Sequence, residues 1–83
     1  MNVEFHPDVH KQLQQLPRKV FATALQVIIG LSHDPRPPGV VKPVGSPDDW
    51  RVRIGEYRIV YAIEDDADLI TVMQVRHRRE VYR

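Results

Sequence analysis

The chain has no cysteine. That excludes a disulfide framework, a thiolate metal site and a thiol nucleophile. No apolar run approaches the roughly 20 residues that span a bilayer. The opening Met1-Asn2-Val3-Glu4-Phe5 also lacks the basic and apolar regions of a secretory signal, so a cytoplasmic protein without membrane contact is expected. Glycine-rich phosphate loops and nucleophile elbows are absent. Of the four histidines, His6 and His10 stand at i and i+4, but His6 is expected to precede a helix and no third ligand lies nearby. The acidic pairs Asp48-Asp49 and Asp65-Asp66 read as loop solubility. No metal and no cofactor are expected.

A large excess of either charge is lacking too, with a net charge of +1 over 83 residues. The total hides a separation. Nine of the twelve basic residues are arginine, and seven of those follow residue 50. The acids of that half gather in Glu64-Asp65-Asp66-Ala67-Asp68, a turn at the far end of a hairpin. Because an interface feels local charge, a basic patch can coexist with a neutral total. From composition alone, a solvated arginine face and a nucleic-acid surface remain equally open. At 42% hydrophobic and 28% charged the chain is ordinary and globular, and its length suits a single domain, residues 1–83.

Val3-Glu4-Phe5 is a short edge-strand candidate. Pro7-Asp8 opens a helix with Val9, Leu13 and Leu16 on one side, and Pro17 fits the first turn of the next. The second helix carries Val20, Phe21, Ala24, Leu25, Val27, Ile28 and Leu31 near i, i+4, i+7 and i+8. It must stop by Asp34, because Pro35 disfavours a helical residue before it. Residues 33–49 hold five prolines and two glycines and are expected to form an ordered surface loop. Three strands follow: residues 50–54, a tight Gly55-Glu56 turn, then 57–63, apolar at nearly every position and so central, and 69–76 after the acidic turn. On the last strand, Leu69, Thr71, Met73 and Val75 are expected on one face, with Ile70, Val72, Gln74 and Arg76 on the other. The order β-α-α-β-β-β argues an α+β domain, an N-terminal helical hairpin packed on a small twisted antiparallel sheet.

Successive strand side chains point to opposite faces, so Arg51 and Arg53 stand together while Trp50, Val52 and Ile54 take the other side. Fixed guanidinium groups beside an apolar core suit the holding of phosphates. RNA cleavage by its own 2′-hydroxyl needs a base for that hydroxyl, charge stabilisation at phosphorus and a proton for the departing 5′-oxygen. Arginine supplies the second. Tyrosine, with an ordinary pKa near 10, serves as base only where cations lower that value, as Arg78 and Arg79 could for Tyr82. The plainer readings stand beside these. Arg51 and Arg53 could be ordinary outward strand residues, Arg58 could be paired with Glu56 or Glu80, Trp50, Tyr57 and Tyr61 fit a core, and Tyr82 could simply pack on the sheet.

The run Trp50-Arg51-Val52-Arg53, Tyr57-Arg58-Ile59-Val60-Tyr61 and the closing His77-Arg78-Arg79-Glu80-Val81-Tyr82 carry a resemblance. With Val3-Glu4-Phe5, Asp8 to Leu16 and Asp34-Pro35-Arg36-Pro37-Pro38-Gly39, the chain resembles, over nearly its full length, the RelE-type toxins of the RelE/ParE superfamily. These are the toxin halves of prokaryotic toxin–antitoxin pairs. The resemblance implies a ribosome-dependent endoribonuclease that cuts mRNA in the ribosomal A site, with a cognate small antitoxin as partner. Its catalytic positions fall on Arg51, Arg53, Arg58, Arg78 and Tyr82, with His77 secondary. Lys42, Arg76, Arg79 and Arg83 complete the expected RNA-binding set. Arginine stands at both first-strand positions where the best-known members have lysine, which keeps the charge but weakens any base there. The alternatives are a ParE-like toxin that poisons gyrase, and a non-catalytic RNA-binding module or degenerate toxin.

Overall fold

A proline at the first helical position sets φ where the helix needs it and lacks only an N–H that would have gone unused. Pro7 does this for α1 (Pro7–Gln14), and the His6 ring caps the turn, its Nδ1 accepting from the Asp8 amide at 3.2 Å. Val9 and Leu13 form the buried stripe of α1. Pro17 stands just outside α2 (Arg18–His33), as its N-cap, and Asp34 ends that helix with extended backbone before Pro35. The structure is a computed structural model and describes residues 1–42 and 49–81.

The buried stripe of α2 is narrower than its apolar content suggests. Ala24, Ile28 and Leu31 are buried, whereas Phe21 and Leu25 stay 37% and 36% exposed. At 100° per residue these two lie about 60° and 100° round the helix from Ala24, on a row that slopes away from the sheet.

Strands β1 (Asn2–Phe5), β2 (Asp49–Ile54), β3 (Tyr57–Glu64) and β4 (Leu69–His77) form one sheet in the order β1-β4-β3-β2, and a short helix α3 (Arg78–Val81) follows. The expected antiparallel arrangement holds for β2, β3 and β4. β1 runs parallel to β4, with Asn2 opposite Leu69 and Phe5 opposite Val72, so the sheet is mixed. A parallel neighbour requires a long crossover, and the two helices with the hairpin after them provide it. Gly55, at φ 57° in the first position of the two-residue β2–β3 turn, fills the place where a tight hairpin favours glycine.

The helices cover one face of the sheet. There Ile59 and Tyr61 of β3 join Ile70, Val72 and Val75 of β4 against Val9, Leu13, Ala24, Ile28 and Leu31, with Trp50, Val52 and Ile54 of β2 at the margin. This corrects the simple alternation expected for β4. The register shifts between Val60, opposite Gln74, and Tyr61, opposite Val72, so Met73 is an extra residue. A bulge of this kind resets the phase of the strand, and Val75 therefore rejoins Ile70 and Val72 in the core instead of facing away with Leu69 and Thr71.

Candidate functional site

Residues directly opposite one another in neighbouring strands share a face. Arg51 pairs with Val60, Arg53 with Arg58, and Arg58 with Arg76 across β2, β3 and β4. Four arginines thus stand on the face that the helices leave open. Buried Val60 lies among them, flanked by Arg51 and Gln74, and the Gln74 Oε1 is buried with no hydrogen-bond donor among the described residues. Val41 extends this face beyond β2. Its amide and carbonyl exchange hydrogen bonds of 2.9 and 2.8 Å with Arg51. Gly39, Val41, Arg51, Arg53 and Arg58 enclose a pocket of about 320 Å³.

The β2–β3 turn organises the arginines. The Gly55 carbonyl accepts from Arg53 Nε at 3.0 Å and from Arg58 Nη1 at 3.4 Å, and Arg58 Nη1 also donates to the Tyr57 carbonyl at 3.1 Å. Neither Arg53 nor Arg58 meets a carboxylate among the described residues. The acid expected to be available to Arg58 is engaged elsewhere. Glu56 binds Arg78, Oε2 to Nε at 2.8 Å, and its carbonyl accepts from the Arg78 amide at 2.8 Å. Arg78 is thereby tied to the turn that holds Arg53 and Arg58.

The acidic turn at Asp65–Asp68 closes the opposite end of the β3–β4 hairpin. The eight residues of β3 span about 24 Å at the usual strand rise. That is roughly three Debye lengths at physiological salt, so the acids leave the arginine end unneutralised. Asp65 has its own partner besides. Arg36 donates to it twice, at 2.9 and 3.3 Å, and this bond holds the Asp65 carboxyl below the usual range.

The remaining expected site residues divide. Arg76 joins the open face, opposite Arg58. His77 does not: it stands opposite Tyr57 on the helix side, the two rings edge to face at 5.4 Å. Lys42 is also turned away, its ammonium 5.4 Å from the Trp50 ring centroid, with the Arg36 guanidinium 5.3 Å from the same ring. Arg79 is exposed on α3, its amide bonded to His77 Nδ1 at 3.3 Å. Tyr82 and Arg83 lie outside the described residues. Sequence reasoning gave Glu56 only as a possible pair for Arg58, and set Gln74 on the face of Arg76 without giving it a role. A signal for Glu56 was present in its place beside the turn glycine.

Tyr61, expected in the core, is fully buried, and its hydroxyl donates to the Pro35 carbonyl at 2.7 Å. Burial pushes its pKa up to about 12, with Arg36 nearby pulling the other way. A phenol whose folded pKa is raised stabilises the fold fully below its unfolded value of about 10, and that contribution is lost as pH climbs through the folded value. An absorbance titration of tyrosinate should therefore show one group ionising well after an ordinary phenol. Denaturant midpoints should hold between about pH 8 and pH 9 and fall above about pH 10. A Tyr61→Phe variant should lose the late-ionising group.

A family model described as the ParE toxin of the type II toxin–antitoxin system, parDE, matches residues 3–82. The chain belongs to that family. It is similar to the putative toxin RelE1 of Methanocaldococcus jannaschii, at 31% identity over 99% of this chain and 94% of the relative. It is also similar to toxin RelG of Mycobacterium tuberculosis, at 28% identity over 98% and 94%. Among solved structures, the archaeal RelE–RelB complex of Pyrococcus horikoshii OT3 matches with a TM-score of 0.81 and 29% identity, covering 93% of each chain. The mixed four-stranded sheet with two helices is thus the architecture of RelE toxins, and the chain is a type II toxin–antitoxin toxin of the RelE/ParE kind. No helix among the described residues is long and apolar enough to cross a membrane.

Proposed function

We propose that this toxin is a ribosome-dependent endoribonuclease that cleaves mRNA in the ribosomal A site and so stops translation. The observation that carries the proposal is the open face of the sheet, where Arg51, Arg53, Arg58 and Arg76 converge and the adjoining turn holds Arg78. In the reaction the ribose 2′-hydroxyl attacks the adjacent phosphorus and loses its proton to a base. The bond from phosphorus to the 5′-oxygen breaks, and a proton returns to that oxygen. The products are a 2′,3′-cyclic phosphate and a free 5′-hydroxyl. Arg58 and Arg78 stabilise charge on the phosphate oxygens, Arg51 and Arg53 grip RNA phosphates, and Tyr82 exchanges the proton.

Metal is not required for this chemistry, because guanidinium groups supply the positive charge. A cytoplasmic site of action follows from the ribosome as target. The partner that restrains the toxin is a cognate small antitoxin with an acidic or amphipathic segment, disordered alone and folding on the toxin. The similarity to a RelE–RelB complex supports this pairing.

Purified toxin should cut mRNA on programmed ribosomes and leave free RNA nearly intact. Arg51→Ala and Arg53→Ala should weaken ribosome binding, each lowering the salt slope of log K by about 0.7–0.9 for every phosphate no longer neutralised. Comparable cleavage of naked RNA would contradict the ribosome-dependent reading. The family's ParE membership gives a second reading, gyrase poisoning, and inhibition of supercoiling with translation intact would establish it instead.

A further inference from the structure

Arg78 is held twice by one residue. The Glu56 carbonyl fixes the Arg78 backbone at 2.8 Å, and the Glu56 carboxylate fixes the side chain through Nε at 2.8 Å. The neighbouring Gly55 carbonyl meanwhile receives Arg53 and Arg58. A two-residue turn therefore sets the positions of three arginines drawn from β2, β3 and α3. Both partners of the Glu56–Arg78 pair are about half exposed, at 54% and 48%, and such surface pairs contribute little to stability. The closest approach between the two side chains is at Nε. Anchoring an arginine at Nε orders a flexible side chain and aims its planar fork. Glu56 is also the acid nearest Arg53 and Arg58 along the chain, two residues from Arg58 and three from Arg53.

We propose that Glu56 is a positioning residue, which holds the Arg78 guanidinium in register with Arg53 and Arg58 so that all three can meet one phosphate. This rests on the ribonuclease reading above and adds to it a carboxylate that acts only through Arg78.

The test is cleavage on programmed ribosomes, at saturating and subsaturating ribosome concentrations, by wild type, Glu56→Ala, Glu56→Gln and Asp66→Ala. Glu56→Ala should lower kcat by roughly 10–10²-fold, the scale of a misplaced catalytic group, with KM and melting temperature close to wild type. Glu56→Gln, which keeps an acceptor, should recover part of the activity. Asp66→Ala, which removes a distant negative charge, should behave as wild type. In an Arg78→Ala background, Glu56→Ala should cost nothing further, as two residues acting as one unit require. A separate readout needs no activity. Nitrogen-15 spectra should show an Arg78 Nε–H protected from solvent exchange, absent in Arg78→Ala and unprotected in Glu56→Ala. Full activity of Glu56→Ala, or an equal loss with and without Arg78, would overturn the positioning role. An unprotected Nε–H in the wild type would overturn the contact itself. A folded wild type that cleaves no mRNA, yet shows the protected Nε–H, overturns the ribonuclease reading while the contact stands.

Discussion

Replacing Arg58 by alanine should slow cleavage of ribosome-bound mRNA by on the order of 10²–10³-fold in kcat, the usual effect of removing one preorganised donor from a developing oxyanion. Three features set the size of this effect. Arg58 occupies the middle of the open face, opposite Arg53 on one side and Arg76 on the other. Its guanidinium is steadied by the carbonyls of Gly55 and Tyr57, so it is ordered before substrate arrives. No carboxylate among the described residues neutralises it. Single-turnover cleavage with saturating ribosomes measures the step directly. An Arg58→Lys variant should recover only part of the rate, since an ammonium cannot reproduce the fork. A loss confined to ribosome affinity would assign Arg58 to docking.

Truncating Ile59 to alanine should destabilise the fold by about 2–5 kcal/mol, the range for large-to-small changes in a closed core. Ile59 is fully buried, and its register partners Val52 and Val75 lie on the helix-covered face. Backbone ladders on both sides prevent the strand from collapsing into the space. Ile29, 61% exposed on the outer side of α2, makes the contrast. Its change to alanine should move stability by no more than about 0.5 kcal/mol. Urea denaturation of the two variants beside wild type checks both values, and near-equal midpoints for the two would show that burial is not what decides the cost.

Much of this architecture was legible because local chemistry and tertiary structure agree. Pro7, Pro17 and Pro35 bracket the helices where sterics require, Gly55 marks the hairpin, and strict alternation through β2 puts Arg51 and Arg53 on one side. The family likeness, in turn, was carried by the arginine and tyrosine runs of the hairpin and closing segment. What escaped was non-local. Four residues of β1 carry no information on strand direction, so its parallel pairing with β4 was not foreseen. Period-2 patterning holds only while every residue is paired, and the extra Met73 breaks it within an otherwise regular strand. Lys42 reads as one more cation, yet a loop path set by tertiary contacts lays it on Trp50. His77 is basic by composition and adjoins Arg78, but the strand's pleat turns it toward Tyr57. Charge can be counted along a sequence; the face on which it falls depends on register.

The parallel pairing of β1 with β4 also bears on when this toxin becomes harmful during its own synthesis. Asn2 finds its neighbour only in Leu69, and the β1 strand cannot enter the sheet until β4 has been made. Until then the sheet lacks the strand that joins β1 to β3, and contacts of such long sequence separation form late. Arg76 and Arg78 come late in the chain, with β4 and the helix after it. The basic face is therefore completed in the same late step that closes the sheet, and Arg58 lacks its β4 neighbour Arg76 until that step.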